Sequence, residues 1–96
     1  MAQGLSVEVL SKAVALILAR TQGKTNGWFR EWAGDYVIPA LLEQGIDQKT
    51  AMRVRADVYY LAAKVRGIES FSLNVEFAFN KEQLDQVVEQ IKNGWK

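Results

Sequence analysis

Apolar residues recur at helical spacing through most of the chain. Val7, Leu10, Val14, Ile17 and Leu18 mark one face of a helix predicted over 6–20, with Ser6 as its cap and Glu8 in its first turn. Ala13, Ala15, Leu16 and Ala19 make its far end apolar nearly all round, so this helix is expected at the centre of the core. A second helix is predicted from Trp28, capped by Asn26, with Trp28, Trp32 and Tyr36 repeating every four residues. Gly34, Asp35 and Pro39 predict a break near 34–38. A short helical piece then runs through Ala40, Leu41 and Leu42 to Gly45.

The clearest stripe follows. Ala51, Val54, Val58, Leu61 and Val65 alternate at spacings of three and four, which predicts a helix over 48–66, capped by Asp47 and ended by Gly67. The period then changes. Phe71, Leu73, Val75, Phe77 and Phe79 alternate with Ser70, Ser72, Asn74, Glu76 and Ala78, the pattern of a strand with one buried face. Asn80 and Gln83 form a capping box for a last helix over 81–93, whose buried side is Leu84, Val87, Val88 and Ile91.

These elements predict a mainly α, compact single domain of four to five helices with one short strand at about 70–79. No second strand is evident for that segment to pair with. Its backbone groups need a partner, and antiparallel pairing with a second copy across a twofold axis is the economical solution, which predicts a homodimer.

Composition removes several classes of chemistry. The 96 residues include no cysteine and no histidine. A structural zinc site, a thiol nucleophile and the commonest general base are therefore absent. The acidic residues are scattered singly, so no paired-carboxylate site stands out, and the chain is read as non-enzymatic, with no cofactor and no metal. The longest apolar run, residues 13–19, lies between Lys12 and Arg20 and is far shorter than the ~20 residues a membrane helix needs. With no disulfide framework and no signal-peptide pattern, the expected location is the cytoplasm.

Three local patterns bear on function. Gly23-Lys24-Thr25 matches the end of a phosphate-binding loop, but the first glycine of that motif would fall at Leu18, so a solvated inter-helix loop is the better reading. The stretch from Gly45 has the make-up of the second half of a helix-turn-helix. A turn at 45–47 precedes a helix that carries Gln48, Lys49, Arg53 and Arg55, residue types suited to base edges and phosphates. The net charge of +1 gives that reading no further support. Trp28, Phe29, Trp32 and Tyr36 are a heavy concentration of large rings for so small a domain, with Arg30, Glu31 and Asp35 beside them as a polar rim. Such residues dominate protein interfaces. The leading expectation is a small protein-binding module, a regulator or inhibitor that docks on a larger protein machine. The alternative is a helix-turn-helix DNA-binding regulator. The two differ in where the basic residues of 48–66 point.

Overall fold

The structure, a computed structural model, describes residues 5–68 and 77–94. Helix α1 spans Val7–Arg20 and α2 Asn26–Trp32; a 3-10 turn, Ala33–Tyr36, leads into α3, Val37–Glu43. Helix α4 spans Gln48–Arg66 and α5 Lys81–Lys92. The chain is thus mainly helical, and no strand occurs among the described residues. Of the expected strand at 70–79, residues 70–76 lie outside the described ones, as does the pairing proposed for them; Phe77 to Phe79 run through a bend.

The helix ends follow local chemistry. Ser6, Asp47 and Asn80 accept backbone N–H groups from Val9, Thr50 and Gln83, and Gln83 returns a bond to the Asn80 N–H. Each satisfies a donor that the first helical turn leaves unpaired. At the far end of α4, Gly67 takes a left-handed conformation (φ 105°), and the Ile68 N–H reaches back to the Ala63 carbonyl at 2.9 Å. Ile68 is buried there. Gly45 and Ile46 end α3 in the same manner, with the Ile46 N–H on the Leu41 carbonyl.

Thr25, and not Asn26, caps α2: its hydroxyl oxygen accepts the Trp28 N–H at 3.1 Å. The Asn26 side chain is instead taken by Arg66, whose Nε donates to it at 3.1 Å.

The central helix is α4, not α1. It packs against α1, α3, α5 and the 3-10 turn. Ala51, Val54, Val58 and Leu61 are buried as the stripe requires, but so are Tyr60, Ala62 and Ala63 on its other sides. The alanines that made α1 look apolar all round include Ala15 and Ala19, which face solvent. A methyl group contributes little area, so alanine marks a buried face weakly.

Asp57 is the one charged side chain in the interior among the described residues. Its two carboxylate oxygens accept the N–H groups of Ala78 (3.0 Å) and Phe79 (2.9 Å). It thereby ties the approach to α5 onto α4. Burial pushes its pKa up, against the opposing pull of those N–H groups. A raised carboxyl pKa favours the neutral folded form. Relative to Asp57→Asn, the wild type should therefore gain stability as pH falls through the folded pKa of Asp57 toward the ordinary aspartate value. Asp57→Ala leaves both donors without an acceptor and should cost about 2–3 kcal/mol in urea denaturation. A loss within experimental scatter would show that the bend does not depend on the carboxylate.

Candidate functional site

Phe29 and the two tryptophans share α2 but not its faces. At about 100° per residue Trp28 lies about 100° and Trp32 about 60° round from Phe29, both to the same side, and it is Phe29 that points inward. Phe29 is fully buried, its ring stacked on Tyr59 at 6.0 Å and covered by the Arg66 guanidinium at 4.9 Å. It cannot touch a partner and is removed from the interaction set expected from sequence. Trp28 and Tyr36 are half-buried, and Trp32 is 48% exposed. Trp28 and Tyr36 meet edge to face, with centroids 5.9 Å apart at 61°.

These rings form the wall of an open groove of about 530 Å³, lined by Arg20, Trp28, Trp32, Asp35, Tyr36 and Pro39. Its parts come from the end of α1, from α2, from the 3-10 turn and from α3. The tighter winding at 33–36 breaks the straight four-residue stripe, and Pro39 fits the first turn of α3, where its missing N–H leaves no intrahelical bond unmade. Of the polar rim expected from sequence, Asp35 lines the groove and Arg30 and Glu31 do not; Arg20 and Pro39 were not legible as site residues, because nothing local links them to the tryptophans.

Arg66 sets the position of this wall from below. Its guanidinium donates to the backbone carbonyls of Thr21 and Lys24, as well as to Asn26, and so holds the loop that carries α2. At the rim, Arg20 forms a two-pronged pair with Glu43 at 2.6 and 2.9 Å. That hydrogen bonding holds the Glu43 carboxyl below its usual range, so the pair persists at pH values where an ordinary glutamate begins to protonate. Lys24 Nζ lies 5.1 Å from the Trp28 ring centroid.

The basic residues of α4 do not gather on one face. Gln48, Lys49, Arg53 and Arg55 are all exposed in its first half. Lys49 and Arg53 lie one turn apart, whereas Arg55 sits about 160° round from Arg53. The Arg55 guanidinium lies against the 3-10 turn, 2.8 Å from where a Cβ on Gly34 would stand. Arg66 is committed to the 21–26 loop, and Lys64 lies over the Tyr60 ring at 6.0 Å. Lys49 and Arg66 are separated by about 25 Å of helix.

A second depression, lined in part by Lys64, Lys81, Asp85 and Lys92, surrounds the Tyr60 hydroxyl. That hydroxyl donates to Asp85 at 2.7 Å. Burial, with help from this bond, pushes the phenol pKa up to about 12, so it stays neutral and serves to join α4 to α5.

Among the described residues no helix is long and apolar enough to cross a membrane, and no group of acidic side chains converges to hold a metal ion. Comparison with protein-family models, with curated proteins and with solved structures gave no match.

Proposed function

We propose that the protein is a non-enzymatic, cytoplasmic binding module whose aromatic groove docks on another protein, in the manner of a small regulator or inhibitor. The observation that carries this reading is Trp32. A large ring that is 48% exposed, beside a half-buried Trp28 and Tyr36, forms an apolar surface that the fold itself leaves uncovered. Rings of this kind anchor interfaces. Leu42 and Met52 are also exposed, but neither lines the groove. The alternating segment at 70–79 adds self-pairing into a homodimer to the proposal.

Trp32→Ala and Trp28→Ala test it, each measured for thermal stability, for association by sedimentation equilibrium and for binding in pull-downs. Trp32→Ala is expected to leave folding nearly intact while weakening binding or association by over ~2 kcal/mol. If both variants lose stability and neither alters binding or association, the groove is plain packing and the reading fails.

The alternative is DNA binding through the first turns of α4. It is favoured by the exposure of Gln48, Lys49 and Arg53 directly after the turn at 45–47. Random duplex at about 50 mM salt, included in the same assays, decides it. Binding that weakens in Lys49→Ala and Arg53→Ala, with a salt slope lowered by about one unit per charge removed, would favour DNA over the protein partner.

A further inference from the structure

The groove has a chemical character beyond being apolar. Its walls are ring faces and edges, and an aromatic face attracts a cation held within ~6 Å of its centroid. The molecule already uses one wall in this way, with the Lys24 ammonium 5.1 Å from the Trp28 centroid.

The charges around the groove are unequal. Arg20 is neutralised where it stands by its two-pronged pair with Glu43. The Asp35 side chain, in contrast, makes no ion pair or hydrogen bond among the described residues. Arg30 and Arg55 line a neighbouring depression with Asp35, but neither pairs with it, so among the residues that line the groove the carboxylate without a bonded cation is Asp35, beside Trp28, Trp32 and Tyr36.

Shape narrows the ligand further. At about 530 Å³ the groove is too roomy for a lone ammonium ion, and it is open to solvent. It suits a long side chain carried on an extended backbone. Of the two common cations, arginine fits better. Its planar guanidinium stacks on rings and pairs with a carboxylate through two parallel bonds, whereas lysine offers a compact, strongly hydrated point charge.

We propose that this groove, taken as the docking site above, receives an arginine side chain from an extended segment of the partner protein. The guanidinium lies against the aromatic wall and pairs with Asp35, and the methylene stem runs along Pro39. Lys24 is then an internal competitor that occupies the Trp28 ring until the partner's cation arrives.

The test uses the full chain labelled with nitrogen-15. The indole N–H signals of Trp28 and Trp32 are assigned with Trp28→Phe and Trp32→Phe. The probes are a capped Ala-Pro-Arg-Pro-Ala peptide and its counterparts with lysine, glutamate or alanine in the central place. Millimolar arginine peptide should shift both indole signals to saturation, with the alanine and glutamate peptides about tenfold weaker or more. The lysine peptide should fall between them. Asp35→Asn should weaken the arginine peptide by up to about fivefold at low salt, and Asp35→Glu should recover part of the loss. Lys24→Ala should strengthen it by about two- to fivefold, because a competing cation is removed.

An anionic ligand would reverse the last two results. Glutamate binding tighter than arginine, or Lys24→Ala weakening the arginine peptide, overturns the inference and leaves the groove as a docking site of other chemistry. Absence of any indole shift with the arginine peptide overturns it as well. If, in addition, Trp32→Ala leaves partner binding and association unchanged, the docking reading falls with it.

Discussion

Phe29→Ala is expected to destabilise the protein by about 3–5 kcal/mol, a large share of the roughly 5–15 kcal/mol that holds a domain together. The ring is wholly buried, so its removal forfeits its transfer from water and leaves a cavity that its neighbours only partly fill. A second loss follows from Arg66. Its guanidinium rests on the Phe29 ring while donating to Thr21, Lys24 and Asn26. Without the ring, the same hydrogen bonds are made by a side chain with less to pack against, and the 21–26 loop loosens. Urea denaturation should show a lower midpoint with little change in slope, since the surface exposed on unfolding is nearly the same. A loss below about 1 kcal/mol would mean that α2 is not anchored through Phe29. The comparison with Trp32→Ala is informative because the two residues lie in one helix: one substitution should act on folding and the other on binding.

Leu61→Ala is expected to cost about 2–5 kcal/mol. Leu61 lies mid-stripe in α4 and is fully buried. It stands in the part of the helix where Tyr60, Ala62 and Ala63 are also covered, so the packing around it leaves little room for collapse into the space vacated. Denaturant titration followed by far-ultraviolet circular dichroism reads the change directly. A shift under about half a kcal/mol would contradict the central place of α4. Volume-conserving Leu61→Met should cost under about 1.5 kcal/mol, which separates a packing defect from a general intolerance of substitution.

Much of the helical layout was legible because its causes are local. The stripe of α4, its cap Asp47 and its terminator Gly67 act within a few residues of one another, as do Asn80 and Gln83 at the start of α5. The errors arose where two local options were equally good. Thr25 and Asn26 are both favourable caps, and the choice between them is tied to Arg66, forty positions along the chain. The density of alanine in α1 pointed to the core, although Ala15 and Ala19 face solvent. The role of Asp57 depends on the backbone of residues 78 and 79, which no pattern around position 57 reveals.

The aromatic groove divides in the same way. Sequence alone determined that Trp28, Trp32 and Tyr36 would cluster, since a four-residue repeat in a helical segment places rings near one face. It also determined that no histidine or cysteine chemistry is available to this chain. Only the tertiary structure decided that Phe29 belongs to the interior, that Arg20 is neutralised by Glu43, and that Arg20 and Pro39 join the tryptophans and Asp35 in one groove. The physical reason is range. Periodicity and capping are set by neighbours three or four positions apart, whereas burial, ion pairing and the shape of a groove depend on which distant segments pack together.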